Sequence, residues 1–339
     1  MRSASGDAQG ESAARIAAVI CTRNRASLLS RTLESLANQT LEKSAYEVVV
    51  IDDGSIDDTR HVAGAFAARV PLRYVYERSA GLASAKNLGL FSTVSPLVAF
   101  LDDDDVAAPD MLEEHVRSHE RFAGANYGVL GRTRLDAGLV SDPLMHFVTE
   151  VGCFLFSYPG LKDGDVLDYS YFWGGRSSCK RSFLLDHGVF NPVFRFGCED
   201  IELGFRLSRH EFRVVYNARA LSAMARKVTV DGFCDRLVQQ GRSNFVFSQL
   251  HTDPEVQRWT EVAGAEEEWR EVGDSYDILI RSARRLDRLA SLKRELGFDL
   301  SESDREWLHR SYWAAFRAAK LKGIHEGRMA TSSRRPEPR

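Results

Sequence analysis

The most informative stretch of this sequence runs Leu97-Val98-Ala99-Phe100-Leu101-Asp102-Asp103-Asp104-Asp105. Its apolar residues predict a buried strand, and the carboxylates follow where that strand ends. In an open parallel sheet the carboxyl ends of the strands border the ligand crevice. Adjacent carboxylates repel one another, so we expect a divalent cation or hydrogen-bond donors beside them. The alternative is an acidic loop that caps the helix predicted after Pro109.

The rest of the first half alternates short apolar runs with helical spacing. Leu29, Leu33 and Leu36 recur at the spacing of a helix between two such runs, which is typical of a strand–helix–strand unit. The strands that we predict are residues 16–20, 47–51, 72–76, 97–101, 128–132 and 212–216. The expected fold class is therefore α/β, with a Rossmann-like, mostly parallel central sheet flanked by helices.

Composition limits the classes to which this chain can belong. Its 339 residues are 44% hydrophobic and 27% charged, which suits a globular α/β domain with a helical appendage. The net charge of -3 argues against nucleic-acid binding through phosphates. The five scattered cysteines suggest neither a disulfide framework nor a zinc motif, and they favour a reducing cytoplasm. Because no stretch is apolar enough to span a bilayer, membrane contact would be peripheral, at the inner face.

Further charged residues follow the other predicted strands. Asp52 and Asp53 come after the second strand, where a carboxylate can accept hydrogen bonds from a base or a ribose. The first strand ends in Thr22-Arg23-Asn24-Arg25, and arginine can stack on a base or bind a phosphate. Lys86 adds a cation on a helix of small residues. These residues predict a ligand with a nucleobase and a diphosphate, although each alone is compatible with a turn or a helix start.

A third acidic element begins the helix predicted at residues 199–210. Glu199 and Asp200 lie in its first turn, where the helix dipole stabilises an ionised carboxylate and favours a base. Ordinary charge at a helix N-terminus is the alternative. Upstream, Trp173-Gly174-Gly175 offers an aromatic ring beside a flexible loop, which suits a sugar site or a core tryptophan beside a turn. We expect residues 136–171 to form long functional loops.

The order of these motifs resembles that of family 2 glycosyltransferases with the GT-A fold. The resemblance covers about residues 16–247 and depends on the runs Val19 to Arg25, Val50 to Ser55, Gly81 to Asn87, Leu101 to Asp105 with Pro109, Trp173 to Gly175, and Glu199-Asp200. It implies an inverting transfer from a nucleotide-diphosphate sugar to an acceptor hydroxyl. It also implies Mg²⁺ or Mn²⁺ as a cofactor.

The resemblance further implies roles for individual residues. Asp200 would be the general base, with Glu199 as the second catalytic carboxylate. The nucleotide-sugar site would contain Thr22, Arg23, Arg25, Asp52 at the base, Asp53, Lys86, Asp102 near the ribose, and Asp103. Asp104 would bind the metal ion. Trp173, Gly174 and Gly175 would contact the acceptor, which could be a saccharide, a lipid-linked saccharide or a small molecule.

Two positions depart from the family pattern. Lys86 replaces the more usual arginine, which keeps the positive charge but loses the forked geometry. Met224 lies near the place of a histidine that often contacts the metal or the diphosphate. A thioether is a poor ligand for a hard ion, although Arg226 or Lys227 could supply positive charge there.

Two other functions stay open at this point. A nucleotidyltransferase would need a glycine-rich loop after the first strand, and residues 21–25 contain no glycine. A sugar-nucleotide-binding scaffold without turnover is compatible with Met224. Release of nucleoside diphosphate from a donor distinguishes an enzyme from this scaffold.

The chain divides into four predicted parts. The GT-A domain takes residues 15–251, with a nucleotide-binding half at 15–132 and an acceptor-binding half at 133–251. Residues 252–329 form a helical extension that could be a lid over the acceptor site, a homodimer contact or a membrane-surface helix. We expect residues 1–14 to be a disordered leader and residues 330–339 a flexible tail.

Overall fold

A computed structural model describes residues 14–156, 158 and 160–332. The predicted leader therefore lies outside the described residues except for Ala14. Of the predicted tail, residues 330–332 continue the last helix, and residues 333–339 lie outside the described part.

Nine strands in the described part of the chain form one sheet. They are β1 (Ile16–Thr22), β2 (Tyr46–Asp52), β3 (Leu72–Tyr76), β4 (Leu97–Asp102), β5 (Asp105–Ala107), β6 (Tyr127–Leu135), β7 (Val166–Leu167), β8 (Arg176–Lys180) and β9 (Arg213–Met224). The order across the sheet is β3-β2-β1-β4-β8-β6-β9-β5, and β7 pairs with β9. All six predicted strands are present, and most are longer than predicted.

The sheet has a parallel half and a mixed half. β1, β2, β3 and β4 pair in parallel, as the sequence predicts. Beyond them, β8 runs antiparallel to both β4 and β6, and β9 is parallel to β6 but antiparallel to β5 and β7. The α/β fold class is confirmed, with a sheet that is mixed overall. The apolar pattern missed β8 because Ser177 and Ser178 are fully buried at its centre.

Twelve α-helices surround the sheet in the described residues. They are α1 (Ala26–Ala37), α2 (Thr59–Phe66), α3 (Leu82–Phe91), α4 (Met111–Arg121), α5 (Pro143–His146), α6 (Arg181–His187), α7 (Glu199–Ser208), α8 (Val230–Leu250), α9 (Pro254–Thr260), α10 (Ala265–Val272), α11 (Tyr276–Glu295) and α12 (Glu302–Ser332). The stretch 136–171, predicted as loops, contains α5, a π-helical turn at Phe147–Val151 and β7.

Alternate residues of the parallel strands build two separate cores. Ile16, Ala18 and Ile20 of β1 face the side covered by α1 and α4. Val19 faces the other side, which is packed against α3, α6 and α7. This alternation follows from the period of two along a strand. Because β1, β2 and β4 run parallel, their carboxyl ends lie at the same edge of the sheet.

The helical extension shares a third core with α8. α12 crosses α8 where Gly241 and Gly323 allow the two backbones to approach closely. Tyr312 and Phe316 of α12 are fully buried there with Phe233 of α8. No helix in the described residues is long and apolar enough to cross a membrane.

Candidate functional site

One cavity of about 840 Å³ opens at the carboxyl ends of β1 and β4. Residues 153–156, the segment 170–176, the start of α7 and one side of α8 complete its wall. Every residue that the sequence predicts for the site lines this cavity, except Asp52. The predicted residues in the wall are Thr22, Arg23, Arg25, Asp53, Lys86, Asp102, Asp103, Asp104, Trp173, Gly174, Gly175, Glu199 and Asp200.

Asp52 and Asp53 have different surroundings although they are adjacent. Asp52 is buried, and its carboxylate accepts hydrogen bonds from the Ser55 N–H at 2.7 Å and the Tyr74 hydroxyl at 2.6 Å. Asp53 lines the cavity and accepts from the Ala80 N–H at 2.6 Å. The predicted contact of Asp52 with a nucleobase is therefore not supported by its position, because the side chain is buried, with one oxygen bonded within the turn and the other to Tyr74 of β3. Asp53 is the carboxylate of this pair that faces the cavity.

Asp103 joins the ends of β1 and β4. Its two oxygens accept hydrogen bonds from the Thr22 hydroxyl at 2.7 Å and from Arg25 Nη1 at 2.8 Å. Burial raises the pKa of Asp103 to about 6, with Arg25 opposing this shift and Asp104 adding to it. Thr22 and Arg25 are thus held in place by a carboxylate, so their predicted contact with a nucleotide would be made from a rigid position.

Asp102 is the most accessible of the consecutive carboxylates. Its side chain is 46% exposed and lies 3.1 Å from Arg176 Nη2. Partial loss of hydration inside the cavity opposes ionisation of Asp102, but the positive charges of Arg176 and Lys86 outweigh it and lower the pKa of Asp102. A methyl group on Gly175 would lie 2.1 Å from the Asp102 carboxylate, so a larger residue there would displace this side chain.

Asp104 is buried and paired with arginine. Arg226 donates a hydrogen bond to its Oδ2, and Arg25 Nη1 lies 3.6 Å from the same oxygen. The neighbouring Asp105 instead turns into the protein and accepts from Thr133 and Ser222. Burial raises the pKa of Asp105 to about 7.

The acidic residues fit a metal ion only when the substrate supplies further ligands. The described residues contain no group of three or more His, Cys, Asp or Glu side chains that could hold an ion. No described residue donates a hydrogen bond to Oδ1 of Asp102 or to Oδ1 of Asp104. Each of these two carboxylates therefore has one oxygen without a partner among the described residues. Magnesium and similar ions are often held by one or two carboxylates, with water and substrate phosphates completing the shell. This donor set fits such an ion.

Lys86 and Glu199 form a buried ion pair between α3 and α7. Lys86 Nζ lies 2.7 Å from Glu199 Oε1, and both side chains are almost completely buried. Although burial favours a neutral lysine, Glu199 and Asp200 raise the pKa of Lys86 and keep it charged. Oε2 of Glu199 is buried and has no hydrogen-bond partner among the described residues.

Asp200 lies in the cavity wall at the N-terminus of α7. Its Oδ2 accepts from the Gly174 N–H at 2.7 Å, and its Oδ1 accepts from the Ile201 N–H at 2.8 Å. Burial and the negative charge of Glu199 raise the pKa of Asp200, while Lys86 opposes them. The result is an oriented carboxylate that binds a proton more readily than an ordinary aspartate.

Trp173 precedes this glycine pair. Its Nε1 donates to the Ser170 C=O at 2.9 Å, and its ring packs against Tyr158 and Tyr171. The ring is therefore fixed at the edge of the cavity, beside Gly174.

Several arginines in the wall were absent from the predicted site. Arg176, Arg195 and Arg236 line the cavity, as does Arg226, which the sequence indicated only as a substitute for histidine. Arg236 stacks on Phe196 and makes no ion pair with any described residue. Burial and the positive charge of the nearby Arg226 lower the pKa of Arg236. The sequence contained a signal for Arg176, because this residue directly follows the Gly174-Gly175 pair. It contained none for Arg236, which looks like an ordinary polar residue on a helix.

Comparisons with known proteins agree with this geometry. Residues 17–175 match the family model described as Glycosyl transferase family 2. Two proteins named validoxylamine A glucosyltransferase, from subspecies jinggangensis and limoneus of Streptomyces hygroscopicus, are each 34% identical over 217 residues. These alignments cover 58% of this chain and 51% and 48% of the relatives, so the chain spans about half the length of these relatives. The succinoglycan biosynthesis protein ExoU of Rhizobium meliloti is 26% identical over 77% of this chain and 76% of its own length.

Solved structures show the same fold. The mannosyltransferase PcManGT from Pyrobaculum calidifontis, solved with GDP-Man and Mn2+, has a TM-score of 0.55 at 19% identity, over 90% of this chain and 86% of its own. S. aureus TarS (residues 1–349), solved with UDP, has a TM-score of 0.50 at 16% identity, over 92% and 91%. The fold is thus that of GT-A glycosyltransferases. Within this fold, residues 17–175 are similar to glycosyl transferase family 2.

Proposed function

We propose that this protein transfers a sugar from a nucleotide-diphosphate donor to an acceptor hydroxyl, with inversion at the anomeric carbon. The observation that carries the proposal is the position of Gly174 and Gly175 between two acidic elements. The Gly174 N–H donates to Asp200, and the Gly175 C=O accepts from the Asp102 N–H at 3.0 Å. A candidate base and a candidate donor-binding carboxylate therefore lie in one cavity, linked through two adjacent residues.

In the proposed reaction, Asp200 accepts the proton of the acceptor hydroxyl as that oxygen bonds to the anomeric carbon. The bond from this carbon to the diphosphate oxygen breaks, and its electron pair leaves with the diphosphate. The raised pKa of Asp200 makes it a better proton acceptor, and its two backbone hydrogen bonds orient it. A single displacement of this kind inverts the anomeric centre.

Positive charge in the cavity wall would stabilise the leaving diphosphate. Arg226 and Arg236 are the best placed for this role, because both line the cavity near Asp102 and Asp104 and interact with them electrostatically. A divalent ion, Mg²⁺ or Mn²⁺, held by Asp104 beside Asp102, would add to the charge neutralisation on the leaving group.

The proposed donor is a nucleotide-diphosphate hexose, in keeping with the relatives named as glucosyltransferases. Trp173, Gly174 and Gly175 are the proposed acceptor contacts, because the fixed ring of Trp173 offers an apolar platform beside the base. The acceptor is a hydroxyl of a saccharide, a lipid-linked saccharide or a small molecule. We propose a cytoplasmic location, since all five cysteines are free thiols.

The first experiment is a thermal-shift screen of nucleoside diphosphates and nucleotide sugars, with Mg²⁺, Mn²⁺ or a chelator. A ligand that binds only the native state at about a hundred times its Kd stabilises the protein by about 2.7 kcal/mol. A rise in Tm with one nucleotide, enlarged by metal, supports the donor site. A screen without any shift contradicts the proposal.

The second experiment separates binding from turnover. Asp200→Asn should keep the nucleotide shift but lower transfer by about 10²- to 10⁴-fold, because the base is lost. Asp104→Asn should abolish the metal-dependent part of the shift. The control is Asp186→Asn, an exposed aspartate outside the cavity, which should behave as wild type. Binding of a sugar nucleotide by wild type without release of nucleoside diphosphate would favour a scaffold without turnover.

A further inference from the structure

We propose that the outer side of α11, together with the turn after it and the start of α12, docks on an anionic lipid bilayer. We call this surface the α11 face. Its apolar members are Ile278, Leu289, Leu292, Leu296, Phe298 and Trp307, each 49–65% exposed. The proposal goes beyond sugar transfer and does not depend on it.

The apolar residues of the α11 face form a stripe, not a scatter. At 3.6 residues per turn, Ile278, Leu289, Leu292 and Leu296 fall within roughly 60° of one another around the helix axis. The buried stripe of α11, which includes Ile280, Ala283 and Ala290, lies on the opposite side and packs on the third core. A surface helix is expected to be polar on its outer side. α11 is instead apolar on two sides, so its outer side is suited to a second partner.

The bulky side chains continue past the end of α11. Gly297 turns the chain with a φ of +81°, and the Phe298 N–H donates to the Lys293 C=O at 2.9 Å. Phe298 follows in this turn, and Trp307 lies on the first part of α12. Aromatic side chains of this kind are favoured at a bilayer interface, where the apolar ring meets the headgroups.

Positive charge accompanies the apolar stripe. α11 contains six basic and three acidic residues, and those on the side of the stripe are all basic. The positive charge is confined to α11, because the turn and the start of α12 add Arg305 and four acidic residues, namely Asp299, Glu302, Asp304 and Glu306. Arg284 and Lys293 pair with Asp231 and Asp304. The exposed arginines Arg281 and Arg288 flank the stripe and Arg285 lies within it, and none of the three makes an ion pair with any described residue. Each basic residue near an anionic membrane surface adds electrostatic attraction.

Charge also argues against a second copy of the chain as the occupant. In a twofold dimer the same patch is used by both subunits. Where the two copies of α11 cross, the arginines of one helix would lie near those of the other, and like charges in contact are unfavourable. A surface of anionic headgroups over an apolar interior complements both features of the α11 face.

The test is sedimentation of the full chain with lipid vesicles. We expect binding to vesicles of equal parts phosphatidylcholine and phosphatidylglycerol to exceed binding to pure phosphatidylcholine by about tenfold or more. Leu292→Asp with Leu296→Asp should lower the bound fraction on anionic vesicles by about tenfold or more. Arg285→Glu with Arg288→Glu should remove the preference for anionic lipid. Both pairs are exposed, so the fold should tolerate them.

The matched control is Val94→Asp with Val140→Asp, two exposed valines outside the α11 face, which should bind vesicles as wild type does. Wild type that fails to sediment with anionic vesicles overturns the proposal. So does a dimer that Leu292→Asp with Leu296→Asp breaks while no vesicle binding is seen. The nucleotide thermal shift is measured on the same variants, and it should not change. A failure of vesicle binding therefore does not contradict the proposed sugar transfer. A failure of nucleotide binding likewise does not contradict the proposed membrane docking.

Discussion

At the residue scale, the buried pair of Lys86 and Glu199 should have a large effect on stability. Removing one partner leaves an uncompensated buried charge, which costs about 3–5 kcal/mol. We expect Lys86→Met to lower the free energy of unfolding by about that amount in urea titrations, since both side chains are almost completely buried. Lys86→Met combined with Glu199→Gln should recover part of the loss, because no unpaired charge remains. A double variant no more stable than Lys86→Met would contradict this account.

A second residue-scale prediction concerns His115 on the far side of β8. The Ser178 hydroxyl lies between two buried rings, 2.8 Å from His115 Nδ1 and 2.9 Å from His119 Nε2. Burial lowers the pKa of His115 from 6.5 to about 4, with a small opposing effect of Glu114, and burial and Lys180 also lower that of His119. Between pH 6.5 and 4 the unfolded chain therefore binds a proton that folded His115 does not.

The sign follows from proton linkage: stability is lost as the pH falls through that range. Relative to His115→Gln, the wild type should lose up to about 3 kcal/mol between pH 7 and pH 4. Urea unfolding of both proteins over this pH range measures the difference, and the other titrating groups cancel because they are common to both. A difference that does not change with pH would show that His115 is not buried in its neutral form.

At the element scale, the crossing of α8 and α12 depends on two glycines. A methyl group at position 323 would lie 2.0 Å from the Val238 carbonyl oxygen, and this contact is with backbone. We expect Gly323→Ala to destabilise the protein by about 1–3 kcal/mol, because the helices must move apart. The control is Gly64→Ala in α2, where nothing lies within 4 Å of the added methyl. It should be neutral or stabilising by up to about 1 kcal/mol, because alanine favours a helix.

The elements that the sequence predicts well are those with a clear period. β1 to β4, α4 and α7 combine apolar spacing with a turn or cap signal, and the structure places them within two residues of the predicted positions or extends them. β8 was missed because a polar strand inside a sheet has no apolar signal. β5 and β7 were not predicted because they are short and are defined by their pairing with β9, a strand distant from both in the sequence.

At the scale of the whole molecule, the helical extension completes the fold. Tyr312 and Phe316 are fully buried against α8, and truncating one such buried aromatic costs about 3–5 kcal/mol. Typical domains are stable by about 5–15 kcal/mol in total. We therefore expect the chain truncated after residue 251 to lose cooperative thermal unfolding or to aggregate. A truncated chain with a sharp transition near the wild-type Tm would show that residues 15–251 fold alone.

The candidate site shows which properties the linear chain determines. The strand-end carboxylates and the arginines after β1 were predicted because the strand ends of one sheet share an edge. Glu199 and Asp200 were predicted from their place in the first turn of a helix. Thirteen of the fourteen predicted residues line the cavity. The strand-end rule could not distinguish Asp52 from Asp53, because it places both at the edge of the sheet. It does not say which of the two side chains is hydrogen-bonded within the turn and which one faces the cavity.

Only tertiary structure decided what surrounds these groups. Arg226 follows β9, and Arg236 belongs to α8. Both are distant in sequence from Asp102 to Asp104, and folding brings them to the same cavity. The raised pKa of Asp200 likewise depends on burial and on Glu199 and Lys86, and Lys86 comes from another helix. The reason is that local sequence determines roughly where a strand begins and ends and which side chains it carries, whereas burial and charge contacts depend on segments that meet only in the folded chain.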